Sequence, residues 1–136
     1  MTFDTKIAIV VRESLAHWQK LNVTAFLAGG LAGVYPEIVG ERYRDGGGVA
    51  YGPLVRQPIL IFTADGEALT RVLKRAGERA VVPSIYTMEL FTTYNDRDNR
   101  AAVANVPTDQ LDLAGIALHA ERKTLDKIVK GLKLHV

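Results

Sequence analysis

Lys6-Ile-Ala-Ile-Val-Val-Arg12 is the stretch on which the fold turns. An unbroken apolar run rich in β-branched residues has no polar face to offer water, so it predicts a strand covered on both sides. Covering both sides of a strand requires a layer above it and a layer below it. The residues that follow supply the first layer. Val23, Phe26, Leu27, Gly30, Leu31 and Val34 recur at three- and four-residue spacing, which predicts a helix over 23–34 with these side chains inward. Ala25, Gly29 and Gly33 form a second stripe, of small residues, suited to close approach of another backbone.

Further along, Asp45-Gly46-Gly47 between Glu37–Arg44 and Gly48–Leu54 is a hairpin turn signal. Pro58–Phe62 reads as a second short buried strand. Asp65 is placed to cap a helix whose apolar positions are Ala68, Leu69, Val72, Leu73 and Ala76, with Glu67 and Arg71 one turn apart on its outer side. Val81–Tyr86 predicts a third core strand, broken by Pro83, and Leu111–Leu118 a fourth. Between them, 92–108 is polar and turn-rich, with a short helix open to it at 99–104. Thr124–Lys130 closes the pattern as a helix stopped by Gly131. The expectation is one α/β domain over residues 1–136, a mixed sheet of about four core strands flanked by helices, with an inserted β-hairpin.

Composition narrows the chemistry. The chain of 136 residues contains no cysteine, which removes disulfides, thiolate metal sites and a thiol nucleophile. A net charge of +2 is too slight to argue for nucleic acid, although RNA is permitted. Arg122, Lys123, Lys127, Lys130 and Lys133 give the last segment a basic face, but Glu121 and Asp126 interrupt it as on an ordinary solvated helix. The opening residues show no secretory pattern and the apolar runs are too short for a bilayer, so a soluble cytoplasmic protein with no membrane association is expected.

Three segments resemble the type II peptidyl-tRNA hydrolases. They are Lys6–Arg12 leading into a small-residue helix, Gln57–Phe62 with the Leu69/Leu73 helix, and Leu113–His119 followed by Leu125-Asp-Lys-Ile-Val-Lys-Gly-Leu-Lys-Leu134. The chain is more closely similar to an uncharacterised bacterial family sharing that fold, through Leu21-Asn22-Val23-Thr24-Ala25, Val39-Gly40 with Asp45-Gly46, and Lys123. Where the hydrolases carry a Gly-Lys pair, Gln and His on the first helix, this chain has Leu21-Asn22, Phe26 and Gly29. Where their catalytic Asp ends the third strand, it reads Thr87-Met88-Glu89. The resemblance therefore implies the fold without the hydrolase residues, and fold alone does not carry function.

The remaining candidates for a site are polar groups beyond the ends of buried strands, where ligands of α/β sheets gather. Asn22 and Thr24 are expected at the start of the first helix, with free backbone N–H groups beside them. An N-cap is the plainer role for Asn22. Thr87, Glu89 and Tyr94 follow the third strand, with Thr92 and Thr93, and are expected to face the same mouth. His17 and Trp18 are expected in the loop leading there, as a general base or as a solvated loop with Trp18 a lid on the core. His119 and His135 lack a carboxylate at ligand spacing, so no metal site is expected. No cofactor and no catalytic residue are assigned.

The leading expectation is a domain that binds a small molecule or a partner protein at Asn22, Thr24, Thr87, Glu89 and Tyr94. The alternatives are a hydrolase or esterase acting on tRNA-linked or small substrates through a rebuilt site, and an RNA-binding module. A homodimer is also expected, from the tendency of the hydrolases to self-associate and from hairpin edges carrying Val39, Tyr43, Val49 and Tyr51.

Overall fold

The computed structural model describes residues 3–136. Its elements are β1 (Thr5–Arg12), α1 (His17–Val34), β2 (Ile59–Ala64), α2 (Gly66–Glu78), β3 (Ser84–Thr87), α3 (Asp96–Ala104), β4 (Leu113–Glu121), α4 (Arg122–Ile128) and β5 (Lys133–Leu134). They form one mixed sheet in the order β3-β4-β1-β2-β5. β1 runs parallel to β2, with Ile9 opposite Ile61, and antiparallel to β4, with Ile9 opposite Ala117. The decisive run behaves as its composition dictates: Ile7 to Val11 are all buried. Ile7, Ile9 and Val11 meet Val23, Leu27 and Leu31 of α1 on one face. Ala8 and Val10 meet Leu69 and Val72 of α2 and Leu125 and Ile128 of α4 on the other.

Gly115 governs how closely α1 lies on the sheet. A Cβ at that position would stand 2.6 Å from Val23 Cγ1, 3.0 Å from Leu27 Cδ1 and 3.1 Å from the Val10 carbonyl. The missing side chain is thus the socket into which the buried ridge of α1 fits. At the far end of the chain, Gly131 has φ +89°, a left-handed conformation that ends the α4 segment as the glycine there suggested.

Several expectations change. The four core strands are joined by a fifth at the rim, because Lys133–Leu134 pairs with Phe62–Thr63 at the edge of β2. α1 begins at His17, not Val23, so Asn22 is no N-cap and neither it nor Thr24 stands at free helix N–H groups. Ala16 occupies the cap position, and Gln19 Oε1 accepts a hydrogen bond from its N–H at 3.0 Å. Within α1, Phe26 and Val34 are exposed, and no neighbour lies within 4 Å of a Cβ built at Gly29 or Gly33. The stripe of small residues therefore faces outward rather than packing. The inserted hairpin is present as an irregular antiparallel ribbon held by two isolated bridges, Val39–Val55 and Arg44–Ala50, rather than by two regular strands. β3 is confined to Ser84–Thr87, beyond Pro83. The polar stretch after it folds as α3, capped by the Asn95 side chain, which accepts from Asp98 N–H at 2.8 Å. No ion pair joins Glu67 to Arg71 among the described residues, whereas Asp65 caps α2 as expected through Ala68 N–H at 2.8 Å. Among the described residues no helix is long and apolar enough to cross a membrane.

Two stability measurements check this account. Gly115→Ala is expected to lose about 1–3 kcal/mol in chemical unfolding, since the added methyl must push α1 off the sheet. Asn22→Ala is expected to change stability by less than about 0.5 kcal/mol, because Asn22 lies in the second turn of α1; a loss of about 1 kcal/mol would restore the capping role.

Candidate functional site

α1 and α3 do not close on each other. Between them, across β3, lies a groove made of two cavities, of about 560 Å³ and 450 Å³, which share Phe26, Tyr86, Leu90, Asp96 and Asn99. Each wall has a local cause. α1 contributes Phe26 from its exposed side because only its opposite ridge is seated on Gly115. At Gly30, which also lines the groove, the nearest atom to a built Cβ is Ser84 Oγ at 3.7 Å, so the helix leaves a depression over β3. A 3-10 turn over Met88–Thr92 swings Leu90 and Phe91 under α1. The Asn95 cap then launches α3, whose Asn99 and Val103 form the facing wall.

Aromatic rings line one end in a connected series. Trp18 meets Phe91 edge-on with centroids 6.0 Å apart, Phe91 meets Tyr86 at 5.1 Å, and Tyr86 meets Phe26 at 5.9 Å. Beside them stand polar but uncharged groups: Asn22, Thr93, Tyr94, Asn95 and Asn99. Thr93 Oγ1 donates to Asn99 Oδ1, which fixes the orientation of that amide. Burial pushes the Tyr86 phenol up from its ordinary value, so it remains a protonated hydroxyl at neutral pH. The cation lining the groove, Arg100, is paired with Asp96 one turn away on α3. Neither cavity is lined by a histidine or a lysine. The lining thus combines aromatic surface, amides and hydroxyls with one ion pair, Asp96–Arg100.

The five residues expected at the mouth are not all gathered there. Asn22 and Tyr94 line the same cavity, although they come from the middle of a helix and from an exposed turn. Thr24 is turned back on its own helix, its hydroxyl donating to the Lys20 carbonyl at 2.7 Å. Thr87 is fully buried at the register shift of β3, and its hydroxyl has no protein partner. Glu89 is exposed on the 3-10 turn and lines neither cavity. His17 sits exposed in the first turn of α1 rather than in a loop, and Trp18 lies beside it over Phe91. Phe26, Tyr86, Leu90, Phe91 and Asn99 were missed as site residues. The available signal was the apolar width of α1, too broad for one buried face. Among the described residues no cluster of three or more His, Asp or Glu is placed to hold a metal ion.

The five-stranded mixed sheet flanked by helices is compatible with the type II hydrolase likeness. The chain is similar to a solved protein of unknown function from Agrobacterium tumefaciens strain C58, with 48% identity over 99% of this chain and 100% of that one, and a TM-score of 0.96. No curated protein matches it. The model of a family described as "Protein of unknown function (DUF2000)" matches residues 5–136, and the chain belongs to that family.

Proposed function

We propose that this protein binds a small, largely apolar molecule carrying an uncharged polar group, such as an amide or carbonyl, in the groove between α1 and α3. The observation that carries the reading is the pairing of an aromatic wall with amide side chains in one cavity. Packing against Phe26, Tyr86 and Phe91 would supply the affinity, and Asn22 and Asn99 would orient the polar group. A strongly anionic ligand, RNA included, would meet Arg100 already neutralised by Asp96. The one carboxylate on the lining, Asp96, is held in its pair with Arg100 rather than free to act as a base.

Trp18, the single tryptophan of the chain, lies at the groove and reports on it directly. Titration with N-acetylphenylalaninamide is expected to change its fluorescence saturably. Asn22→Ala is expected to weaken binding about tenfold, the effect of one lost hydrogen bond to an uncharged group. Gly30→Leu, which fills the depression, is expected to abolish it. A linear, non-saturating response, or Gly30→Leu binding as tightly as wild type, would place the ligand site elsewhere.

A second reading, a protein partner, is favoured by the outer face of α1. Trp18, Leu21, Ala25, Phe26, Gly29 and Gly33 carry no charge there, and Trp18, Leu21 and Phe26 are each more than half exposed. An uncharged helix face meets no like-charge repulsion against its own copy. Light scattering at micromolar concentration is expected to give about twice 14.9 kDa and to return to 14.9 kDa in Leu21→Glu. A wild-type mass of 14.9 kDa would exclude the dimer.

A further inference from the structure

The opposite end of the sheet holds a second polar cluster. Thr5 opens β1 and His119 stands near the end of β4, in neighbouring antiparallel strands. His119 Nε2 lies 2.9 Å from Thr5 Oγ1. Gln57, itself buried, donates from Nε2 to the Thr5 carbonyl at 3.1 Å and to Thr5 Oγ1 at 3.3 Å. Since Gln57 donates to the Thr5 hydroxyl, the hydroxyl proton is free to be donated to His119 Nε2 in the tautomer that carries its proton on Nδ1. The ring of Tyr35 holds the imidazole from the side, with centroids 4.5 Å apart. Burial holds the His119 pKa below its ordinary value, against the opposing charge of Glu37, which favours the neutral imidazole at pH 7.

A cluster that only finished a strand would need no open volume beside its hydroxyl. Here Phe3, Thr5 and Gln57 line two cavities at once, of about 310 Å³ and 370 Å³. Asp4, Glu37, Ile38, Arg56 and His119 complete the first, which therefore contains a hydroxyl, an imidazole, two carboxylates and a guanidinium. This volume is separate from the groove between α1 and α3, and the two share no residue.

We propose that Thr5 and His119 form a nucleophile–base pair that cleaves short-chain carboxylic esters in this second cavity. Thr5 Oγ attacks the ester carbonyl carbon and passes its proton to His119 Nε2 as the new C–O bond forms. The C–O bond to the leaving alcohol then breaks, and His119 returns the proton to the departing oxygen. Water, deprotonated by His119, attacks the acyl-threonine, releases the carboxylic acid and restores the Thr5 hydroxyl. Gln57 is a positioning residue that fixes the nucleophile, and Arg56 is the cation on the cavity wall.

The test is the reaction of the folded protein with p-nitrophenyl acetate. A burst of nitrophenolate stoichiometric with protein is expected, with one acetyl group mapped by mass spectrometry to Thr5. Thr5→Ser, which keeps the hydroxyl, is expected to retain the burst, and Thr5→Val to lose it. His119→Gln is expected to slow acylation by about 100-fold or more. Variants are compared at matched thermal stability, and Thr5→Ser and His119→Gln decide the case if Thr5→Val does not fold. Acetyl groups found only on lysines, no burst in wild type, or a burst undiminished in His119→Gln would each overturn the proposal.

Discussion

The seating of α1 on Gly115 is the constraint from which the rest of the molecule follows. Val23 and Leu27 occupy space that any side chain at position 115 of β4 would take, so helix and sheet are fixed at one separation. With one ridge locked in place, the other side of an 18-residue helix has to point outward, whatever its composition. Trp18, Phe26 and the outward glycines are exposed for that reason, and so is the wall they lend to the groove. The position of α3 is a second-order consequence. Its residues turn toward β3 because the 3-10 turn after Thr87 has already placed Leu90 and Phe91 beneath α1.

The two ends of the sheet differ in kind. At the α1/α3 end, aromatic surface is combined with amides, and the polar groups are held by local bonds such as Thr93 to Asn99. At the other end, long-range contacts bring together residues as distant in sequence as Thr5, Gln57 and His119. A site built on strand ends is framed by the sheet ladder, whereas the groove is bounded by a 3-10 turn and a nine-residue helix with no buried residue.

The central strands were legible because a run such as Ile7 to Val11 has only one physical solution, burial on both faces. α2 was legible for the opposite reason: a clear apolar side, and an aspartate at its start that caps it. α1 was harder. Its residues are apolar nearly all round, so periodicity could not single out the buried side, and Phe26 and Val34 were assigned inward. Its start was misplaced because Ala16 carries no capping side chain, while Asn22 looks like one. The body of α3 was open in the sequence as a short helix over 99–104, but its first turn was hidden by charge, since Asp96, Arg97 and Asp98 read as loop until Asn95 is recognised as the cap. Asn22 and Tyr94, singled out as polar groups expected beyond strand ends, both line the groove. Thr24, Thr87 and Glu89 were not placed at the groove, because sequence cannot show whether a hydroxyl turns back on its own helix or a strand shifts register.

The edges of the sheet have a bearing on solution behaviour. β3 is four residues long and follows directly on Pro83, which has no N–H to offer a neighbour. On the far side, Lys133–Leu134 and the His135 N–H, bonded to the Ile61 carbonyl at 2.8 Å, occupy the outer rim of β2. Short, guarded rims deprive an incoming extended chain of a template, so runaway fibril growth by strand addition finds no foothold in the native state. A chain rich in β-branched core residues thereby keeps its most aggregation-prone segment, the run from Ile7 to Val11, at the centre of the sheet, two strands in from one rim and two from the other.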